Sequence, residues 1–552
     1  FGTTNSVVAQ WTHTGPEVFR LSENTMPARW DRYGYAPVMP SVYAAGANGE
    51  VLFGFEALGQ SSRFEAVKRL FTTQEDIAYD STGNALLVEE VATLLFAELL
   101  KRTRDEGADP LSAVITVPAN SRGLARHRTK ICAGMAGVEV LALINEPTAA
   151  AMAYGARQHG DRRMLVFDWG GGTLDVTVLR ALDGIFVEEA SAGLPRRGGI
   201  DFDGRLRRLV LDKITGTPSW SPLEQLEFNR SIELAKLELS HRPETAVPLP
   251  DGRIQSVSRE EFDRATRSLV EDARAPIERC LQDLGLYAED IDALLMVGGT
   301  SNIPAVRSLV SEVLSRKPEE DINPMTAIAE GAAIAAAVLT GEASDQFDFL
   351  VTTEHALGVV VLNPDTLQLG FSQLIPRNER IPCDATDVYR PTFDDQESVE
   401  IQVIEGDPDK PVDDPDNVIL AEFSVDLPDD DDPSFNVTYA YDANGLLEVT
   451  VDKRGQKLGE TAISFGPATD RSKLFKIAKK AKKAVADRVA PPQSDDEPAS
   501  ESESAQLVQR ALVNVLPFLD DEEAAPIRAL VTAVQEASAD ELPAAVDALR
   551  RA

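Results

Sequence analysis

The alternation of apolar and polar residues is clearest in the stretch LVFDWGGGTLDVTVL, residues 165–179. An apolar run ends in an aspartate, three glycines follow, and beyond them every second residue is apolar. This period of two predicts strand, tight turn and strand. Glycines let backbone N–H groups approach an anion closely, and Asp168 and Asp175 beside the turn are oxygen ligands suited to hydrated Mg²⁺. The stretch predicts either a phosphate-binding hairpin or an ordinary glycine-rich turn.

Two features of this pattern occur twice along the chain. The first residues, FGTTNSVVA, again place a small Gly/Thr turn before an apolar strand. Two alanine-rich helices are predicted some 180 residues apart, over 145–155 and 323–333, each with a proline in its first turn. Paired hairpins and paired helices predict two similar lobes with a nucleotide in the cleft between them.

Periodicity predicts the other elements of the first 342 residues. They are a helical segment over 64–71, an amphipathic helix over 88–104, a buried strand over 113–118, a basic helix over 121–135, helices from Gly198 and over 222–239, and a strand over 292–297 with a helix from Pro304. Neither a GxxxxGK[ST] loop nor a GxGxxG fingerprint occurs, so we expect hairpins to bind the phosphates.

The pattern changes after residue 342. Residues 343–352 are predicted to be an interdomain linker, and 353–468 an all-β domain of short alternating runs separated by turn residues such as Asp442–Gly445. A basic helix is predicted within 469–489, a disordered acidic linker at 490–505 and a small helical module at 506–552.

Composition narrows the classes of partner and compartment. The net charge of −36 disfavours nucleic-acid binding, and no apolar run is long enough to span a bilayer. Three widely spaced cysteines argue against disulfides or zinc and favour a reducing cytoplasm. Residues 394–435 hold sixteen acidic side chains against one lysine, which favours solvated loops. Phe1 is not an initiator methionine, so we expect N-terminal residues to be missing.

Seven motifs occur in the order and spacing of one known family. They are FGTTNS, ITVPA, INEPTAAAMAYG, FDWGGGTLDV, GGIDFD, VGGTSNIP and INPMTAIAEGAA. The chain therefore resembles the 70-kDa heat-shock chaperones of the DnaK type over residues 1–466. The resemblance implies a multidomain protein with a two-lobed actin-like α/β ATPase domain, a β-sandwich that binds peptides, and short C-terminal helices that form a reduced lid.

The resemblance also implies roles for individual residues. Lys68 would position the attacking water and the γ-phosphate, while Glu146, Asp168 and Asp175 would hold hydrated Mg²⁺ and the water, with Thr173 beside them. The residues that would bind the rest of ATP or ADP are Gly2, Thr3, Thr4, Asn5, Gly170, Gly171, Gly172, Gly198, Gly199, Glu233, Lys236, Ser240, Gly298, Gly299 and Asn302.

Two further groups of residues are implied to link nucleotide to peptide. Pro118 and Arg126 would relay the nucleotide state to Phe349 and Leu350 in the linker. The residues expected either to line an apolar peptide pocket or to pack in the core of the β-domain are Leu357, Val359, Val399 and Ile401.

Four departures from the family pattern change the expectations. Asn302 and Leu237 stand where many members have basic residues at the adenine, which predicts weaker nucleotide affinity. The segment between Phe71 and Val88 is short, so a subdomain that contacts exchange factors is trimmed. The linker run around Phe349 differs, which puts interdomain coupling in doubt. The reduced lid predicts fast peptide release.

These expectations lead to one preferred function and two alternatives. We expect an ATP-dependent chaperone that binds extended client polypeptides, with a co-chaperone and a nucleotide-exchange factor as further partners. The first alternative is an ATP-binding regulatory module with weak hydrolysis and a dedicated protein partner. A sugar kinase or a filament-forming ATPase is disfavoured by the β-domain.

Overall fold

A computed structural model gives the structure of the protein. The residues that it describes are 1–45, 51–72, 77–80, 83–119, 121, 123–155, 160–182, 185–214, 220–343, 348–353, 355–362, 368–377, 379–393, 396–414, 417–428, 432–441, 447–462, 477, 479, 483, 521–536 and 548–549.

Strands and helices alternate up to residue 343, and strands dominate from 348 to 462. The strands are β1 (Asn5–Ser6), β2 (Ala9–Thr12), β3 (Gly15–Val18), β4 (Met39–Pro40), β5 (Tyr43–Ala45), β6 (Val51–Phe53), β7 (Arg63–Phe64), β8 (Ile77–Tyr79), β9 (Ala85–Leu87), β10 (Ser112–Val117), β11 (Glu139–Asn145), β12 (Arg162–Trp169), β13 (Leu174–Leu182), β14 (Ile185–Leu194), β15 (Glu244–Pro248), β16 (Ile254–Ser258), β17 (Ala293–Val297), β18 (Asp348–Thr352), β19 (Ala356–Leu362), β20 (Leu369–Ile375), β21 (Arg380–Ile381), β22 (Cys383–Tyr389), β23 (Ser398–Gly406), β24 (Val418–Asp426), β25 (Phe435–Tyr441), β26 (Leu447–Lys453) and β27 (Gln456–Ala462).

The helices lie mostly in the first 343 residues. They are α1 (Ala28–Asp31), α2 (Gly54–Ala57), α3 (Val88–Asp105), α4 (Gly123–Ala136), α5 (Glu146–Gly155), α6 (Gly199–Asp212), α7 (Pro222–His241), α8 (Arg259–Asp272), α9 (Arg274–Asp283), α10 (Pro304–Val313), α11 (Ala327–Leu339) and α12 (Asp521–Glu536), with 3₁₀ turns at Val67–Thr72, Ala288–Asp290 and Gly299–Asn302.

A six-stranded sheet runs through the centre, in the order β17-β12-β13-β14-β18-β21. Strands β12 and β13 form the predicted antiparallel hairpin, with Asp168 directly opposite Asp175. Buried side chains cover both faces of these strands, because alternate residues of β12 belong to two different apolar clusters. The sheet therefore holds the glycine turn on a rigid support.

Most predicted helices of the first 343 residues lie within a few residues of their expected bounds, and two do not. The helix expected over 323–333 runs instead from Ala327 to Leu339, so Pro324 lies before it and not in its first turn. The segment over 64–71 was predicted to be helical throughout, but Phe64 ends β7 and only Val67–Thr72 forms a 3₁₀ turn. Ala66, at the start of that turn, has a φ of 55°, which a regular α-helix does not allow. The full-length helix was therefore the wrong expectation for this segment.

The β-domain consists of two four-stranded sheets, β20-β19-β23-β24 and β22-β25-β26-β27, that share one buried core. Strands β25 and β26 bury every second residue, as the alternating sequence predicts. The last of the short alternating runs in the predicted all-β domain is 461–465, but strand β27 begins at Gln456, and 463–465 lie outside the described residues. The start of this edge strand was not predicted because its first residues are polar and directly follow the turn at Arg454 and Gly455.

Several predicted features lie partly or wholly outside the described residues. They are the turn Asp442–Gly445, most of the basic helix and the acidic linker at 490–505. Within 506–552 the structure describes α12, which contains Pro526, and residues 548–549. No helix among the described residues is long and apolar enough to cross a membrane.

Candidate functional site

The glycine turn of the β12–β13 hairpin is held in place through its carbonyl groups. Gly170 N donates to Thr173 O across the turn at 3.1 Å. Gly170 O accepts from Thr300 Oγ1 at 2.8 Å and from Gly199 N at 3.0 Å, at the start of α6. Since the Gly170 carbonyl points towards α6, the opposite side of the turn faces the cavity.

Two separate buried cores define two lobes of the first domain, one around α3 and α4 and the other around the β12–β13 hairpin and α6 to α10. The N-terminal Gly/Thr turn belongs to the first lobe and contacts the hairpin of the second. A Cβ added to Gly171 would lie 1.8 Å from Thr4 Oγ1, and one added to Gly172 would lie 2.7 Å from Thr3 Oγ1. Thr4 Oγ1 is buried and has no hydrogen-bond partner among the described residues. The two turns thus face and contact each other, and only glycine fits at these two positions.

Trp169 anchors the base of the glycine turn. Its indole is fully buried, lies edge-on to Phe167 and Phe202 with ring centroids 5.8 and 5.2 Å away, and donates Nε1–H to Arg197 O at 3.1 Å. An indole that is both packed and hydrogen-bonded fixes its backbone precisely. The turn between Asp168 and Asp175 therefore starts from a rigid position.

Lys68 and the three predicted carboxylates meet beside the two turns. Lys68 Nζ donates to Glu146 Oε1 at 2.7 Å and to Phe1 O at 2.6 Å. Burial and the nearby carboxylates of Glu146 and Asp175 raise the pKa of Asp168 well above its usual range. Mutual repulsion of this kind is relieved when a cation binds. The cluster therefore has one lysine to offset several negative charges.

Thr173 is tied to this cluster, since its Oγ1 donates to Asp175 Oδ2 at 3.0 Å. Within the described ranges, no three Asp, Glu, His or Cys side chains come close enough to ligate a metal directly. Mg²⁺ keeps several of its waters in nucleotide sites, so carboxylates at this spacing fit a hydrated ion that they contact through water.

Arg69 crosses the cleft at the same level, and the sequence analysis did not identify it. Its Nη2 donates to Gly172 O at 2.9 Å and lies 3.5 Å from Asp201 Oδ2 in α6. Its position directly after Lys68 was the available signal. Because Arg69 lies in one lobe and Gly172 in the other, this contact holds the lobes together at the phosphate end.

The predicted adenosine residues lie along α7 and the turn after β17. Lys236 Nζ donates to Asp203 Oδ2 at 2.7 Å and to Gly199 O at 3.2 Å, which brings α7 to the start of α6. Burial and the carboxylate of Asp203 raise the pKa of Glu233 to about 7. Ser240 Oγ donates back to Lys236 O, one turn earlier in the same helix.

Gly298 and Gly299 bring the next segment close to the glycine hairpin. Gly298 has a φ of 80°, and a Cβ there would lie 2.5 Å from Trp169 O. Asn302 ends the 3₁₀ turn that begins at Gly299. The structure thus gathers both glycines, the hairpin and Asn302 on one side of the cleft.

An aromatic cluster, which the sequence analysis missed, crosses the cleft beside the adenosine residues. Trp30, Tyr35 and Phe55 pack with Leu234 of α7, and Leu237 lies at the edge of this cluster. Tyr33 stacks on His241 with ring centroids 5.4 Å apart. These aromatic residues lie between turn signals and carry no helical or strand period, so the sequence offered no pattern to place them.

The predicted coupling residues follow the end of β10 and the linker. Pro118 ends β10, and Arg126 in α4 is buried, donating Nε–H to Ser121 O and an Nη2 hydrogen to Asn145 Oδ1. The backbone of Phe349 and Leu350 pairs with Phe186 and Val187 of β14 in parallel register. The linker is therefore a strand of the central sheet.

The β-domain contacts the first domain next to this strand. Arg377 donates to Ser191 O, and its Nη1 lies 3.8 Å from Asp283 Oδ2 in α9. Thr353, directly after the linker strand, donates its hydroxyl to Pro376 O at 2.6 Å. The linker strand, β14 and the turn before β21 thus form one continuous contact between the first domain and the β-domain.

The four predicted peptide-binding residues lie together inside the β-domain. Leu357, Val359, Val399 and Ile401 are all buried in the core that the two sheets share. Tyr439 closes this core and donates its hydroxyl to Gly358 O at 2.5 Å. The structure groups the four side chains in the core, and their contact with peptide stays a prediction.

A cavity of about 650 Å³ joins the phosphate-end elements. Both turns, Lys68, Glu146, Asp168, Gly298 and Gly299 line it, and an apolar extension lies between β2 and β10. Facing turns with bare glycines, an orphaned hydroxyl at Thr4 and clustered carboxylates fit a triphosphate with a hydrated divalent cation. The residues present therefore fit ATP and Mg²⁺.

Comparison with known proteins gives one consistent family. Residues 63–551 match the sequence model described as Hsp70 protein. Chaperone protein dnaK of Cyanidioschyzon merolae is 33% identical over 533 residues, which cover 87% of this chain and 84% of that protein. Chaperone protein DnaK of Thermosipho melanesiensis is 33% identical over 511 residues, covering 87% of this chain and 82% of that protein.

Proposed function

The chain belongs to the Hsp70 family, whose members are ATP-dependent molecular chaperones, and we propose that it binds and hydrolyses ATP between the two Gly/Thr turns. The observation that carries this proposal is the contact between Gly171 and Thr4 directly beside the Lys68–Glu146 pair. Phosphoryl transfer needs positioning and charge neutralisation more than a covalent partner, and these elements supply both.

Each residue at the phosphate end has a proposed task. The backbone of the two turns cradles the β- and γ-phosphates, while Lys68 offsets the γ-phosphate charge and orients the attacking water together with Glu146. Asp168 and Asp175 are the carboxylates that would hold hydrated Mg²⁺. The bound ion would neutralise charge on the phosphate oxygens. Glu233, Lys236, Ser240 and Asn302 bind the nucleoside.

We extend the proposal to the β-domain through the linker strand. The pairing of β18 with β14 supports a route by which a change at the nucleotide alters the affinity of the β-domain for an extended apolar client segment. A co-chaperone and a nucleotide-exchange factor are proposed as further partners. Cys132, Cys280 and Cys383 form no disulfide in the described part of the chain, which supports placement in the reducing cytoplasm.

ATP turnover by the full chain, with and without an extended apolar peptide, tests the proposal. We expect turnover to rise when peptide is added and peptide affinity to differ between ATP and ADP. Negligible turnover with equal peptide affinity in both states would instead favour an ATP-binding regulatory module with a dedicated partner. Phosphorylation of a small metabolite would overturn the chaperone mechanism.

A further inference from the structure

A buried carboxylate occupies an apolar stretch of β14. Glu188 lies on the same face of the strand as the buried Phe186 and opposite Leu179 of β13, and Glu188 itself is only 3% exposed. Burying a carboxylate costs free energy unless hydrogen bonds or charges compensate. An apolar residue would fill this position at a lower free-energy cost of burial. The reason for a carboxylate here is therefore expected to lie in its hydrogen bonds.

Both oxygens of Glu188 bind the segment that carries Glu146. Asn145 Nδ2 donates to Glu188 Oε2 at 2.9 Å, and Thr148 Oγ1 donates to Glu188 Oε1. Asn145 ends β11, and Glu146 is the first residue of α5. The two hydrogen bonds therefore clamp the strand-to-helix turn on either side of the residue that accepts from Lys68.

Arg126 offsets the negative charge of Glu188 through the intervening side chain of Asn145. Arg126 donates to Asn145 Oδ1, so Asn145 lies between a guanidinium and a carboxylate and its amide has a fixed orientation. Burial raises the pKa of Glu188, while its hydrogen bonds from Thr148 and Asn145 and the charge of Arg126 oppose that rise. Glu188 thus accepts from two donors, and Asn145 links it to Arg126.

We infer that Glu188 is a positioning residue, which holds the turn Asn145–Thr148, and with it Glu146, against the strand that pairs with the linker. This inference rests on the proposed ATPase function. In the described part of the chain, the side chain of Glu188 hydrogen-bonds to Asn145 and Thr148 and not to the phosphate turns or Lys68, so it acts through the segment that it holds. A displacement of Glu146 by a fraction of an ångström misaligns the Lys68–Glu146 pair.

Single-turnover hydrolysis by the full chain with Mg²⁺ and ATP tests the inference. Glu188→Leu removes both hydrogen bonds and should lower the rate about tenfold, with the KM for ATP changed less than about threefold. Glu188→Gln can accept from Asn145 and donate to Thr148, so it should stay within about threefold of the wild-type rate. Equal losses in both variants would overturn the hydrogen-bond clamp.

Glu189→Gln is the matched control, because Glu189 is adjacent on β14 but pairs with Arg163, at 2.6 Å. It should leave the rate unchanged. Hydrogen exchange at the amides of Thr148 and Ala149 gives a readout without hydrolysis, and Glu188→Leu should speed it about tenfold. Unchanged exchange would overturn the inference. Faster exchange in a protein that never hydrolyses ATP would overturn the proposed function but leave the clamp standing.

Discussion

Lys68 Nζ lies 2.7 Å from Glu146 Oε1, although the two residues are 78 positions apart in sequence. Lys68 comes from a 3₁₀ turn and Glu146 from the start of α5, and both side chains are largely buried at the bottom of the cleft. An ammonium fixed by a carboxylate and by Phe1 O is already oriented before substrate arrives.

Replacement of Lys68 by alanine should therefore slow the chemical step far more than it weakens binding. We expect Lys68→Ala to lower single-turnover hydrolysis about 100-fold, while the Kd for ATP rises less than about fivefold. Lys213→Ala, which breaks the partly exposed pair with Glu261, is the control and should retain the wild-type rate. A fully active Lys68→Ala protein would contradict the assigned role.

Gly171 should not tolerate a side chain. Its added Cβ would lie 1.8 Å from Thr4 Oγ1, so Gly171→Ala must separate the two turns and should weaken ATP binding more than about tenfold, measured by calorimetry. Gly204→Ala in α6 is the control, because no atom lies within 4 Å of its added Cβ. That helical change should leave binding intact and stabilise the fold by about 0.5–1 kcal/mol.

The raised pKa of Glu233, about 7 against an ordinary 4.5, gives stability a pH dependence. The folded state binds this proton more tightly than the unfolded state. The resulting stabilisation is complete below pH 4.5 and is lost as the pH rises through 7. Glu233→Gln cannot ionise and should raise the free energy of unfolding by roughly 2 kcal/mol at pH 8, with little effect at pH 5.

Chemical denaturation at both pH values measures this effect. Glu227→Gln changes an exposed glutamate on the same helix and should alter stability equally little at either pH. A Glu233→Gln protein with the same gain at pH 5 and pH 8 would show that ionisation of Glu233 is not the cause.

Asn302 should limit affinity at the adenine end. A guanidinium at this position could stack on the base, which contributes about 0.5–2 kcal/mol. We expect Asn302→Arg to tighten ATP binding at least about threefold in calorimetry, and Asn302→Ala to weaken it slightly. Tighter binding by both variants would contradict stacking as the reason. Leu237 is a poorer test, because it contributes to the cross-cleft aromatic cluster.

The sequence predicted those parts of the fold where local pattern and three-dimensional contact agree. The alternation around Asp168 and Asp175 predicted the hairpin that the structure contains. The glycines predicted the close approach of an anion, and their contact with Thr4 came only from the structure. Strands β20 and β22 were not predicted, because their buried and exposed residues do not alternate regularly. Periodicity identifies a strand only when one face is consistently buried.

Site residues that act through long-range contacts were the hardest to predict. The roles of Arg69 and Glu188 depend on partners more than 35 residues away in sequence. Asp203 was likewise not assigned a role, although it pairs with Lys236 across two helices. Residue type alone does not reveal such pairs, because charged side chains are usually solvated on the surface.

The parallel pairing of β18 with β14 has a consequence for the chain in a crowded solution. If the linker strand leaves, β14 becomes the outermost strand of its sheet, with unpaired backbone groups and the exposed side chains of Leu182 and Ile185 at its turn. Open strand edges of this kind invite pairing with other chains. Separation of the two domains thus exposes a strand edge that can pair with other chains. Repulsion between copies of the chain, each with a net charge of −36, opposes self-association while that edge is open.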